Sequence, residues 1–171
     1  MAIMTTVASG LEAMSVREPK LPGWLKLANP LVVALQRRFG FVIGTMRVLS
    51  VPGRKSGRMH ATPVSPLTVG GQRYVVGGLD GADWVKNARA SGWGVLARGR
   101  TEERVGIVEL PVEERGPILR AFPQEVPHGV QFFRRMYGVS SDPEEFAALA
   151  PRCPVFRIES PEVATGQYRA S

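Results

Sequence analysis

The chain has 171 residues, 44% of them hydrophobic and 22% charged, the composition of one globular domain with room for a core. No apolar run reaches the roughly 20 residues of a membrane span, the single cysteine, Cys153, excludes an internal disulfide, and a cytoplasmic protein is expected. The net charge of +7 suits an anionic partner, whether nucleic acid, acidic membrane surface or phosphorylated small molecule, and equally a solvated arginine-rich face.

Residues 1–27 read as an N-terminal arm without the basic-then-apolar order of a signal peptide. Trp24, Leu25 and Leu27, with basic Lys26, Arg37 and Arg38 nearby, suit packing against the domain. Peripheral membrane contact is the alternative, and the protein would then be membrane-associated. The domain is expected over 28–160, with a tail at 161–171. "NPLVVALQRRFG" (29–40) has Asn29 as cap, Pro30 at the first position and Gly40 at the end of a helix. "TMRVLSV" (45–51) alternates as a strand does. "HATPVSPLTV" (60–69) reads as one further strand, and Pro63 and Pro66 place it at an edge or bulge. A turn at 70–72 leads to a strand at 73–78. A helix over 80–92 closes on Gly92, with Asp80 or Asp83 as its cap.

Strands follow at 93–99 and 104–110, then a helix over 111–122 whose Pro117 is expected near its start. Residues 128–139 place Val130, Phe133 and Tyr137 on one helical face. Asp142 and Pro143 open a helix over 142–150, and 153–160 is the last strand. Six short, mostly antiparallel strands with inserted helices predict a mainly β, α+β fold, a small barrel.

Several chemistries fail on spacing. "GRKSG" lacks the earlier glycine of a Walker loop, and no strand–GxGxxG–helix unit is present. No nucleophile elbow occurs. His60, His128 and one cysteine make no metal site. Cys153, at the start of a strand, reads as a buried structural thiol. Two clusters survive. Gly53-Arg54-Lys55-Ser56-Gly57-Arg58 combines close-approach glycines with forked, point-charge and hydroxyl donors for an anion; a solvated hairpin turn is the other reading. On the next helix Trp84, Asn87 and Ala88 share a face, Lys86 lies beside Arg89, and Gly77, Gly78 and Gly81 precede them. Glycines there would let a flat ring lie close to the backbone. Together the clusters describe a groove for a ligand with a planar head and an anionic tail; Trp84 as plain core is the other reading.

Strand–"GRKSGRMHATPV"–strand, "RYVVGG", "DWVKNARA" and the closing "PVFRIES" resemble the deazaflavin-dependent nitroreductase and quinone reductase family, actinobacterial split-barrel oxidoreductases that use coenzyme F420. The resemblance spans roughly residues 28–160. It implies a six-stranded antiparallel split β-barrel, flavin-reductase-like, with short helices outside. It implies that Arg54, Lys55, Ser56, Gly57 and Arg58 hold the coenzyme's anionic tail. Thr62, Pro63 and Val64, with Val76, Gly77 and Gly78, would lie near the deazaflavin ring, and Trp84, Lys86 and Asn87 would hold it from the helix.

If so, hydride passes from the reduced coenzyme to a quinone, nitroaromatic or activated enone stacked on its ring. Phe132, Phe133, Met136 and Tyr137 would wall the substrate. Tyr137 would donate a proton or hydrogen bond to the developing oxyanion, in competition with bulk water. FMN is the less favoured cofactor. A non-catalytic carrier of deazaflavin, flavin or lipid is the competing function. Nucleic acid is not expected, because no aromatic residue interleaves the basic turn. Barrels of this type occur as monomers and as homodimers.

Overall fold

A computed structural model describes residues 45–160. The expected arm, the helix at 29–40 and the tail at 161–171 lie outside the described residues. Seven strands, β1 (Arg47–Pro52), β2 (Met59–Val64), β3 (Leu67–Val69), β4 (Gln72–Val76), β5 (Trp93–Arg98), β6 (Thr101–Glu109) and β7 (Val155–Glu159), form one sheet. Among the described residues four helices accompany them: α1 (Asp83–Ser91), α2 (Val112–Glu125), α3 (Val130–Tyr137), entered through a tight turn at Pro127–Gly129, and α4 (Pro143–Ala147).

The strand order is β2-β1-β5-β6-β7-β4-β3, and every pair is antiparallel. The α+β class stands, but the strand count is seven rather than six. The expected strand at 60–69 is broken at Ser65–Pro66 into β2 and β3. Pro66 has no N–H for a ladder, so the chain leaves one strand and starts another. Pro63 is tolerated within β2 because β2 is an edge.

That break controls the shape. β2 and β3 stand at opposite edges of the sheet, yet only Ser65 and Pro66 separate them in sequence. The three Cα–Cα steps from Val64 to Leu67 reach at most about 11 Å. The sheet must therefore curl until its edges nearly meet, giving a half-barrel closed at this corner without pairing.

Inward positions of the strands build the first core: Leu49, Val51, Val75, Leu96, Val105, Ile107, Phe156 and Ile158. Val85 and Ala88 of α1 join them, so α1 plugs one end of the half-barrel. A second core lies between the sheet and the later helices. There Phe122, Phe133 and Phe146 pack ring on ring with centroids 4.9–5.6 Å apart.

Local details correct three expectations. Neither Asp80 nor Asp83 caps α1, whose N-cap is Ala82. Pro117 lies inside α2 together with Pro123 rather than near its start. Tertiary packing of Ile118, Leu119 and Phe122 carries this helix through both prolines. Asp142 does cap α4, accepting from the Glu144 amide at 2.8 Å. Buried Arg115 of α2 donates to Leu110 O, Ala150 O and Glu109, which ties the helical layer to β6.

Candidate functional site

A cavity of about 340 Å³ opens beside the curled corner. Its walls include Thr62, Pro63 and Val64 of β2, Val76 at the end of β4, Gly78, Trp84 of α1, and Phe132 and Phe133 of α3. All of these belong to the sequence-predicted set. Trp84 is seated by Phe156, with ring centroids 5.5 Å apart.

Glycine at 78 is required by close approach. A Cβ there would stand 2.2 Å from Cε1 of Phe132, far inside van der Waals contact. The sequence predicts a flat ring against these glycines, and the ring that lies there is the protein's own Phe132. Gly77 does not line the cavity. A Cβ on it would meet Pro154 and Val85, and its amide donates to Pro154 O at 2.7 Å.

Met136 and Tyr137 are half-buried and are not among the lining residues. The Tyr137 hydroxyl donates to Gly78 O at 2.6 Å. Burial, with the Cys153 sulfur nearby, raises its pKa well above the ordinary phenol value. The buried Cys153 thiol is itself pushed up to about 11 by desolvation. Tyr137 thus keeps its proton at neutral pH and spends it on the Gly78 carbonyl, holding the glycine segment in place.

Sequence reasoning missed part of the wall: Met46, Ser65, Leu79, Ala82, Phe122, Val126, His128 and Gly129. Phe122 and Val126 fall on the apolar face of α2 and its continuation, a periodicity that could have found them. His128 carries no such signal. Its Nε2 lies 2.9 Å from the Ser65 hydroxyl, so the pair spans from the β2–β3 corner to the helical layer.

The basic turn sits at the other end of β2. Gly53 N donates to Arg58 O and Gly57 N to Gly53 O, each at 2.8 Å. Gly57 has φ of +67°, a left-handed conformation that favours glycine. Arg54 is committed to α1. Its amide and its Nη1 both donate to Oδ1 of buried Asn87, at 3.2 and 2.9 Å, and Nη2 meets Asp83 at 3.1 Å. Asn87 is therefore a support for the turn.

The Arg58 amide turns back to Ser56 Oγ at 3.3 Å. The exposed Lys55 and Arg58 side chains remain without a partner among the described residues, as do the Lys55 and Ser56 amides. Lys86 is exposed on α1, one turn from Asp83. These donors suit an anion.

β2 connects the two ends. Met59 and His60 are exposed, and burial increases toward Val64 at the cavity. At ~3.3 Å per residue about 13 Å of strand separates Arg58 from Thr62, where the cavity wall begins. The arrangement fits an elongated ligand whose planar head enters an apolar cavity and whose anionic tail follows an open strand edge. A deazaflavin coenzyme has that form, and the donor set left at the turn fits its tail.

No family model matches the chain. No curated protein matches it. Among solved structures, an F420-H2-dependent reductase, FDR-A, aligns at 20% identity with a TM-score of 0.47, covering 70% of this chain and 98% of its own. A haem-binding protein from Mycobacterium smegmatis aligns at 15% identity and a TM-score of 0.45, covering 68% of this chain and 46% of its own. A chain described as a domain-swapped dimer reaches a TM-score of 0.50 at 18% identity over 80% of this chain and 97% of its own. With the last of these, the shared feature is the fold alone.

No described helix is long and apolar enough to cross a membrane.

Proposed function

We propose that this chain is a reductase that binds reduced coenzyme F420 and presents its deazaflavin ring to an electron-poor small molecule such as a quinone, nitroaromatic or activated enone. The observation that carries this reading is the continuous path along β2 from the free cations Lys55 and Arg58 to the apolar cavity walled by Thr62, Pro63, Val64, Val76 and Trp84.

When bound, a deazaflavin supplies a hydride from its reduced ring. The residues of this chain supply placement. Lys55 and Arg58 attract the anionic tail, and Arg54 holds the turn against α1. Pro63, Val64, Val76 and Trp84 exclude water from the ring. Phe132 lies where a planar group would face Gly78, so its side chain must swing aside or form the stacking surface. Tyr137 fixes the Gly78 carbonyl, which leaves bulk water, or a group on the substrate's own face, to supply the proton.

Fluorescence titration with the coenzyme tests the reading. Saturable micromolar binding is expected. Lys55→Ala should lower affinity about fivefold, roughly 1 kcal/mol, and flatten its dependence on salt. Unchanged affinity would remove the turn from the site, and absence of binding would overturn the reading. Tighter binding of FMN would make the chain a flavin protein. Binding without oxidation of the reduced coenzyme by any quinone, nitro compound or enone would favour a carrier, a reading that the engagement of the Tyr137 hydroxyl by Gly78 O already supports.

A further inference from the structure

The cavity beside the curled corner is walled mostly by apolar side chains, and its polar groups are few. Besides the Trp84 indole, Thr62, Ser65 and His128 are the polar side chains among the described lining residues, and His128 alone of them is titratable. His128 Nε2 lies 2.9 Å from Ser65 Oγ. The Tyr137 hydroxyl, which could have served a ligand oxygen, is turned onto Gly78 O.

Backbone holds both members of the pair in place. Ser65 sits in the break between β2 and β3, beside Pro66. His128 is the middle residue of the Pro127–Gly129 turn. Gly129 N donates to Val126 O at 2.9 Å. A Cβ on Gly129 would stand 2.8 Å from Cζ of buried Phe122, so the turn lies close on α2. His128 is exposed and can exchange protons with water.

The two charge states of an imidazole give such a pair opposite polarity. A ring protonated only on Nδ1 accepts from the serine hydroxyl. An imidazolium donates from Nε2 to the serine oxygen and frees the hydroxyl proton for the cavity. In that state Ser65 can pass its proton to a ligand oxygen while the Nε2 proton of His128 replaces it. One O–H bond breaks at Ser65 and one forms on the ligand; the N–H bond breaks at His128 and the Ser65 O–H is restored. Water then reprotonates the ring.

We propose that the Ser65–His128 pair is the oxygen-binding subsite of this cavity, which takes the carbonyl or phenol oxygen of a flat aromatic ligand and exchanges its proton. The inference rests on reading the cavity as the place of ring and substrate. When a reduced deazaflavin supplies the hydride, the oxygen of a quinone or enone gains the electron pair, and its proton comes from Ser65 and, behind it, His128.

4-Nitrophenol tests this without any coenzyme, because its phenolate form is coloured. The full chain is titrated with it at a pH just below the probe's own pKa. An apolar cavity alone favours the neutral phenol and bleaches the colour; the pair stabilises the phenolate and should deepen it. Saturable deepening is expected. His128→Gln keeps a donor to Ser65 without the charge and should turn deepening into bleaching. Ser65→Ala should weaken binding about tenfold, and Ser65→Thr, which retains a hydroxyl, should respond as the parent does. No binding, bleaching in the parent, or deepening that survives both His128→Gln and Ser65→Ala would overturn the proposal, and the parent's response decides even where a variant fails to fold. Deepening without coenzyme binding leaves the subsite standing and removes only the deazaflavin reading. Coenzyme binding with a bleached probe removes the subsite alone.

Discussion

Asn87 shows how one buried amide can hold a candidate site together. Its side-chain oxygen accepts from both the amide and the guanidinium of Arg54, so it locks the basic turn onto α1. The family resemblance places Asn87 among the cofactor contacts; its bonds to Arg54 join residues far apart in sequence, which helical periodicity does not reveal. Asn87→Ala should cost about 1 kcal/mol by removing the acceptor of two part-buried bonds from Arg54, read as a lower urea midpoint, and should weaken coenzyme binding with it. Asn87→Asp keeps the acceptor and should recover the midpoint; failure to do so would show that the turn is held by something else. The cavity wall was more legible than the turn's support. Thr62, Pro63, Val64, Val76, Gly78, Phe132 and Phe133 all line it; they come from the family resemblance, because alternation alone would turn Pro63 away from its two neighbours. His128 and Ser65 were not legible, because their approach depends on how the sheet curls.

At the scale of elements, strands and helices were readable from alternation and turn residues, and boundaries failed where proline has two meanings. Pro63 marks an edge, as expected, whereas Pro66 ends a strand altogether. Pro117 and Pro123 sit within α2, where burial of Ile118, Leu119 and Phe122 outweighs the lost hydrogen bonds. Close packing of β5 on β1 rests on Gly94. A Cβ there would come within 2.7 Å of the Ser50 carbonyl oxygen, a backbone atom that cannot rotate away. Gly94→Ala should therefore force the two strands apart and cost about 2–3 kcal/mol, visible as a lower midpoint in chemical denaturation. A change within a few tenths of a kcal/mol would mean that the sheet adjusts more freely than its register suggests.

For the whole molecule, ion pairs set the acid limit of stability. Hydrogen bonds from Arg73 hold the Glu103 pKa below its ordinary value of 4.5, and those from Arg89 depress Asp80 likewise. A depressed carboxylate stabilises the fold fully above its unfolded pKa and loses that contribution as pH falls through the folded value. The thermal midpoint should be steady from neutrality to about pH 5 and should decline below it. Glu103→Gln should lower the neutral midpoint by an amount worth about 1 kcal/mol, a figure kept small because the pair is partly exposed to solvent, and should flatten the decline. An unaltered acid limb would assign it to other carboxylates.

The strand order also bears on how the chain reaches its fold. β7, the last of the described strands, lies between β6 and β4. Before it arrives, β2-β1-β5-β6 and the β3–β4 hairpin share no ladder. On a ribosome, the two sheets and the helical segments are already made while the strand that joins them is still in the exit tunnel. Such late, long-range closure belongs to slowly folding topologies, and it makes the C-terminal segment through Glu159 the keystone of assembly.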